Sequence, residues 1–350
     1  MRVPRLKPFL RVYYREGETA LFLGVGPDKV KISSPTPALV RFVLELADND
    51  RTVDQLLEGY PQAGEWVDQL DRVGVLEDAA DPPALPAPLL ERYSRQINYL
   101  RLFDRDGWDG FEGQRRISAA RVVVVGTGAG GTTLLRLLNA AGVGTLEAAD
   151  FDTFAVDNLP THATIDEEDV GRKKTDALRQ RLARQNSGTR FLTHDRTIAS
   201  TGDLIELIDG ADFFLHAFDR PREHAAAWSN TASLATGVPL TSIGATDKGA
   251  RVGPTMIPGQ TPCWECVGIH GLDILRAERT ACLTGATVAM LAGIAVNEVL
   301  ALIAGAKRSR TAGQSLYIDT DKLTFTFNRY EYRDGCACAA WSRPRAAAPA

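Results

Sequence analysis

Four valines at 122–125 run directly into Gly126-Thr127-Gly128-Ala129-Gly130-Gly131, and no other feature of the chain restricts its fold as much. A short continuous apolar run fits a strand buried on both faces. Glycines after such a strand allow a tight turn into a helix and a close approach of backbone to a phosphate. Beyond the turn the chain alternates. The spacing predicts helices over 132–141, 174–185, 203–208 and 223–235, and strands over 145–150, 191–193, 213–217 and 239–242. That alternation specifies an α/β class, with a Rossmann-like, doubly wound, mostly parallel sheet and helices on both faces. A long apolar helix over 287–303 and a closing hairpin, 315–318 with 322–332, complete the region, and no internal repeat is visible.

Residues 1–80 read as a separate small α+β unit. Short strands are expected at 11–14, 19–23 and 29–32, with Gly24 and Gly26-Pro27-Asp28 supplying turns. A helix over 36–47 carries Leu39, Phe42, Val43 and Leu46 at helical spacing. Thr52 caps a second helix, and a third spans 62–73 with Trp66, Val67, Leu70 and Val73 on one face. The outline is that of a winged helix. Four prolines within 82–88 mark 81–90 as a semi-rigid linker, the main domain is expected over 91–341, and the Ala- and Pro-containing tail 342–350 is expected to be disordered.

With 350 residues, 44% hydrophobic and 24% charged, the chain suits two or three globular domains. A net charge of −4 gives no electrostatic reason to expect nucleic acid or an anionic membrane as partner. The third helix of the small unit is acidic (Glu65, Asp68, Asp71), which argues against a DNA-binding winged helix. No apolar run is expected to reach the 18–20 or so residues that span a bilayer, and no signal-peptide core follows the N-terminus. The cytoplasm is the expected location.

The polar residues around the glycine turn define the chemistry. Asp150 ends the strand after the turn, where a carboxylate can hold ribose hydroxyls, a feature that equally fits NAD. Lys174 opens a helix from which an ammonium could reach phosphates. Asp219 follows the strand 213–217, beside the expected switch point, where it could hold Mg²⁺. A dehydrogenase needs neither of these. The plainer alternatives are a solvated lysine in the run Arg172-Lys173-Lys174 and a helix N-cap at Asp219.

Seven separated motifs in one order resemble the ThiF/MoeB group of ubiquitin-activating-type adenylating enzymes. They are Arg92-Tyr93-Ser94-Arg95-Gln96, the glycine turn, Asp150-Phe151-Asp152, Asp157-Asn158-Leu159, Asp169 to Lys174, Asp212 with Asp219, and Cys263-Trp264-Glu265-Cys266 with the region from Cys282 to Gly293. The resemblance covers about 90–340. It implies ATP- and Mg²⁺-dependent adenylation of a carboxylate by a homodimer. Gly126, Gly128 and Gly131 would then cradle ATP, Asp150 would hold the ribose beside Asp152, Asn158 and Lys174 would face phosphates, Asp219 would bind Mg²⁺, and Arg95 would reach the phosphates of the partner subunit. One departure stands out. The family reads Asn-Leu-x-Arg-Gln, whereas this chain reads Asn158-Leu159-Pro160-Thr161-His162. Arg172, Arg220, Arg222 and His162 are the candidates to replace the lost charge. Otherwise the chain is a degenerate copy that binds without catalysing.

Five cysteines are present, and four form two close pairs, Cys263/Cys266 and Cys336/Cys338. Two chelating pairs brought together would make a tetrahedral structural Zn²⁺ site. The second pair is one residue tighter than the family's usual spacing. Cys282 is expected to be a core thiol, with an acyl acceptor, as in some relatives of the family it resembles, as the alternative. The histidines form no metal or nucleophile pattern, and His216 is expected to be a satisfied core residue.

The 1–80 unit resembles the PqqD-like leader-recognition domains of enzymes that modify ribosomally made peptides. Leu6-Lys7-Pro8, the Gly24 hairpin, Pro35/Pro37 before a helix and Thr52 with Leu56-Leu57 carry this resemblance. The strand 29–33 would be an edge. A leader could pair beside it, with Val30, Ile32, Trp66 and Leu70 lining the groove. A dimerisation or packing module is the plainer alternative. Two functions follow. One is adenylation of a carboxylate on a precursor peptide bound through its leader. The other is presentation of that leader to a cyclodehydratase by an inactive copy. The 1–80 unit disfavours a third, a sulfur-carrier adenylating enzyme.

Overall fold

The computed structural model describes residues 2–14, 19–24, 29–81, 85–104, 108–246, 249–268, 284–306 and 309–338. The chain divides into two compact units, Met1–Phe111 and Glu112–Ala350.

The first unit holds β1 (Pro4–Leu6), β2 (Val12–Tyr14), β3 (Ala20–Leu23), β4 (Val30–Ser33), α1 (Pro37–Glu45), α2 (Val53–Leu57), α3 (Ala63–Arg72), β5 (Leu76–Asp78) and α4 (Ala87–Leu100). β2, β3 and β4 form an antiparallel sheet in that order, with β4 at an edge. Thr52 caps α2 through a reciprocal capping box with Gln55. The small core gathers Leu21, Leu23, Phe42, Val43, Leu46, Leu56, Val67 and Leu70.

Three features differ from the sequence expectation. β1 pairs antiparallel with β5, so the segment before the expected first strand and the segment after α3 close on each other. Pro88 sits in the first turn of α4, a position where proline's missing N–H costs nothing, so the linker ends earlier than 90. The first unit also extends to residue 111. Arg101, 5% exposed, pairs with Glu77 at 2.5 Å, and Lys7 pairs with Asp104 at 2.9 Å, which ties the segment after α4 to β1 and β5. Among the earlier expectations, Gly26-Pro27-Asp28, Pro82, Pro83, Cys282 and the tail 342–350 lie outside the described residues.

The second unit opens with α5 (Gly110–Ala119), which spans the division. It continues with β6 (Arg121–Val125), α6 (Ala129–Ala140), β7 (Thr145–Asp150), α7 (Lys174–Gln185), β8 (Arg190–Asp195), α8 (Thr201–Ile208), β9 (Phe213–His216), α9 (Ala225–Thr236), β10 (Leu240–Thr246), β11 (Gly249–Val252), α10 (Trp264–Val267), α11 (Gly285–Ala304), β12 (Gln314–Asp319) and β13 (Thr324–Arg329). One eight-stranded sheet runs β13-β12-β11-β10-β9-β6-β7-β8. The five strands from β10 to β8 are parallel, and β11 to β13 are antiparallel additions. Val123 and Val125 face the cluster built by α8 and α9, so strand alternation sends Val122 and Val124 to the other face. All four are buried, as a two-sided strand requires.

The chain leaves β6 toward β7 and β8, then crosses back to β9 on the other side of β6. The carboxyl end of β6 is therefore the switch point, where an open α/β sheet leaves a crevice.

The expectation of no membrane-length run is corrected. α11 has 20 residues with a mean hydropathy of 2.0, long and apolar enough by length and composition to cross a membrane. It packs on α6 and on β10 and β11. Its single carboxylate, Glu298, is buried and accepts from Ser309 Oγ at 2.7 Å, the Thr311 amide at 3.1 Å and the Arg310 amide.

A candidate nucleotide site at the switch point

The three glycines singled out in the turn serve different needs. Gly126 has φ +90°, and a Cβ there would lie 2.3 Å from the Ala217 carbonyl oxygen. A Cβ on Gly131 would lie 1.9 Å from the Gly126 carbonyl oxygen. Both are glycine because of the protein's own packing. Gly128 is different, since a Cβ there would meet nothing within 4 Å. It is the N-cap of α6 and offers no side-chain cap. The first amides of α6 therefore face open space with the positive end of the helix dipole behind them.

A cavity of about 150 Å³ opens at this point, lined by Gly126, Gly128, Asp150, Asp152, Lys174 and Asp219 among others. Six residues drawn from four separate stretches of sequence thus share one wall. Asp150 also organises the turn. Its Oδ2 accepts from the Thr127 amide at 2.6 Å and the Thr127 hydroxyl at 2.7 Å, while Oδ1 accepts from the Asp152 amide at 2.9 Å. Lys174 is the first residue of α7, 7% exposed, with Nζ 3.2 Å from Asp152 Oδ2. It is not a solvated lysine. Asp219 is exposed, 3.6 Å from Arg222, and does not cap α9, whose N-cap is His224.

Three expected residues fall elsewhere. Gly131 is buried in α6 and does not line the cavity. Asn158 closes a short turn, accepting from the Ala155 amide at 3.2 Å and donating to Asp157 at 3.1 Å, and is not among the lining residues. Arg95 is exposed on α4 in the first unit. The sequence reading missed Phe151, Arg196, Ile198 and Phe218, which also line the cavity. Each lies just past a strand end on the same crest, which is the signal that could have found them.

Of the four groups proposed to replace the arginine absent at Thr161, Arg220 lines the cavity. Arg172 is held by Asp169 at 2.7 Å and by Gln180 at 3.0 Å. Arg222 faces Asp219. His162 is 5% exposed, and burial pushes its proton affinity below the ordinary histidine value, with Lys174 acting in the same direction. His216 is satisfied as expected, its Nδ1 2.9 Å from Ser229 Oγ and its ring edge-on to Trp264.

The four cysteines converge beside α9, where the Trp264 amide between the first pair donates to Asn230. Sγ separations are 3.9 Å for Cys263–Cys266, 3.5 Å for Cys263–Cys336 and 3.4 Å for Cys266–Cys338, and all four sulfurs lie within 4.8 Å of one another. With Zn–S bonds of about 2.3 Å, tetrahedral thiolates sit about 3.8 Å apart, so the donor set fits zinc. The Arg333 amide points at Cys266 Sγ from 3.3 Å. Burial pushes the Cys263 thiol up to about 11.

In the small unit, Val30 and Ile32 on the edge strand β4 and Trp66 on α3 are half-buried against the core. Leu70 belongs to that core at 5% exposure, so it does not line an open groove.

Comparison with known proteins agrees with this architecture. Residues 93–338 match the ThiF family. The chain is 28% identical over 215 residues to the sulfur carrier protein ThiS adenylyltransferase of Escherichia coli K12, covering 61% of this chain and 81% of that one. It is 27% identical over 251 residues to the molybdopterin-synthase adenylyltransferase of the same strain, covering 71% and 94%. Among solved structures, E. coli MccB with ATP superimposes with a TM-score of 0.79 at 18% identity, covering 96% of this chain and 99% of that one. PaaA superimposes with a TM-score of 0.79 at 21% identity, covering 93% and 100%. Another of these structures is the Microcin C7 biosynthetic enzyme MccB in complex with N-formylated MccA. The glycine turn at the switch point, its lysine and carboxylates, and a family match over most of the chain lead to one conclusion: this protein belongs to the ThiF family and is a ThiF-like adenylyltransferase.

Proposed function

We propose that the chain adenylates a carboxylate on a ribosomally made precursor peptide, which its N-terminal unit holds through a leader segment. One observation carries the nucleotide half: Gly128, Asp150, Asp152, Lys174 and Asp219 line one cavity at the uncapped end of α6. The amides of α6 and the Lys174 ammonium would receive phosphate charge, and Asp150 and Asp152 would face the ribose. Asp219 would hold Mg²⁺, which would neutralise charge on the phosphates. A carboxylate oxygen of the peptide would attack the α-phosphorus, and pyrophosphate would leave. Arg220, on the cavity wall, would help stabilise that charge, and Arg196 is a second guanidinium in the same lining.

The peptide half draws support from the first unit, which falls outside the family match for all but its last residues. Among the described residues its β4 has one unpaired edge, with Val30, Ile32 and Trp66 half-buried against the core. An extended leader pairing there would gain backbone hydrogen bonds for affinity and side-chain pockets for specificity, as in a PqqD-like domain. We further assign the Cys263, Cys266, Cys336 and Cys338 cluster to a structural Zn²⁺, the active form to a homodimer and the location to the cytoplasm, where thiols stay reduced.

The competing role, an inactive copy presenting the leader to a cyclodehydratase, is favoured by Thr161, whose hydroxyl is bonded to the Asn158 carbonyl at 3.1 Å and brings no charge. Isotope exchange between pyrophosphate and ATP separates the two. Exchange that depends on the peptide, with a loss of about 100-fold in Asp219→Ala, is expected for the enzyme. Tight peptide binding without exchange would establish the presenting role instead.

A further inference from the structure

His162 is a buried base with one nitrogen unaccounted for. Its Nδ1 lies 2.9 Å from the Asn158 carbonyl oxygen. Nδ1 also lies 3.0 Å from the Thr161 hydroxyl, which donates its own hydrogen to the same carbonyl; both oxygens therefore accept from Nδ1–H, and Nε2 presents its lone pair. Nε2 is shielded from solvent and has no partner among the described residues. The ring stands edge-on to Phe154, with centroids 5.6 Å apart, and Lys174 Nζ lies 6.0 Å from the centroid of that same ring. Phe154 thus neighbours both the histidine and the lysine of the cavity wall.

The charged surroundings of His162 come from several elements. Lys174 at the start of α7 opposes a second proton on the ring, while Asp150 of β7 and Asp157 of the adjacent turn favour it. Arg136 of α6 is tied to the neighbouring Ala163 carbonyl at 2.7 Å. α11, which meets Pro160 at Gly285, has no acidic residue in its first turn. In the free protein burial, with Lys174, holds the ring's proton affinity below the ordinary histidine value. Triphosphate entering beside Lys174 and Asp150 adds several negative charges, which reverses the balance at the ring.

We infer that His162 takes up a proton on Nε2 when a nucleoside triphosphate fills the cavity, becoming a buried cation packed on Phe154. This rests on the reading of the cavity as an ATP site. Nδ1–H stays on the Asn158 carbonyl throughout, and the added proton comes from solvent. Linkage fixes the sign: a group whose proton affinity rises on binding makes binding tighter as pH falls. The gain should begin near the pKa of the bound form and level off below that of the free form.

The test is calorimetry of MgATP binding to the full chain near neutral pH, in buffers of differing ionisation enthalpy. The slope of observed heat against buffer enthalpy gives the protons taken up. An uptake of about one proton per nucleotide is expected beyond that of His162→Asn. Asparagine keeps a donor for the Asn158 carbonyl and lacks the titrating nitrogen, and its thermal unfolding should match the native chain's. Adenosine, with base and ribose but no phosphate, should bind without uptake. Imidazole ¹⁵N spectra of the native protein check the same event without a variant: Nε2 should pass from unprotonated to protonated on titration with MgATP. Binding with equal slopes in both proteins, or an Nε2 signal that stays unprotonated, overturns the inference and leaves the nucleotide site standing. No binding heat with any nucleotide removes both.

Discussion

Gly128 and Gly131 are three residues apart and would respond to the same mutation in opposite ways. A methyl group on Gly131 would collide with the Gly126 carbonyl, a backbone atom that cannot swing aside. Gly131→Ala is expected to cost about 3 kcal/mol of folding stability, read as a lowered denaturation midpoint. Gly128 has φ −66° and open space around its Cβ direction, so alanine there should fold within about 0.5 kcal/mol of the native chain. It would instead occupy the space where a phosphate meets the amides of α6. ATP affinity should fall about tenfold, the equivalent of one charge-assisted hydrogen bond. The sequence marked all three glycines for the nucleotide. Only packing separates the two that the fold needs from the one that the ligand needs.

At the scale of elements, the cysteine pairs are the clearest case of sequence reading and structure agreeing on placement. Cys263 and Cys266 flank the start of α10, Cys336 and Cys338 follow β13, and the fold closes roughly 70 residues of chain between them. About one zinc per chain is expected by metal analysis. Cys336→Ser should lose that metal and lower the unfolding temperature, because a metal bound only by the folded chain stabilises it by mass action. The Arg333 amide, three residues before Cys336, donates to the Cys266 sulfur and so holds the Cys-x-Cys segment against the first pair. Elements without a periodic signature were harder to read. α4 was hidden behind prolines that extend a chain when free and open a helix when placed in its first turn. β1 and β5 have three residues each, too short for alternation to register, and exist because they pair with each other across 70 residues.

At the scale of the whole molecule, the sheet has an unfinished margin. On β13, Phe325 and Phe327 pair with Ile318 and Leu316 and share their face of the sheet; Ile318 and Leu316 are buried, yet the two phenylalanines are 57% and 43% exposed, with Leu323 in the turn at 70%. The apolar face of the sheet runs out into solvent. A second copy of the chain is the expected cover, and the double change Phe325→Glu with Phe327→Glu should convert a dimer to a monomer by light scattering with little change in unfolding temperature. A native chain that is monomeric at micromolar concentration would refute this, and with it the assignment of Arg95 to a partner's phosphates.

The sequence by itself determined the strand that enters the glycine turn, the alternation that makes the sheet parallel, and the residue types that meet a triphosphate. These follow from local rules, since burial on two faces, tight turning and anion recognition each demand a particular residue at a particular spacing. Tertiary structure decided which of those residues share a wall. Asp150, Lys174 and Asp219 meet because the crossover from β8 to β9 passes β6 and leaves a crevice, while Asn158 turns back on its own loop. It also decided that His162 would be stripped of water with one nitrogen bare, since desolvation depends on everything that packs around a ring and on nothing in its immediate sequence.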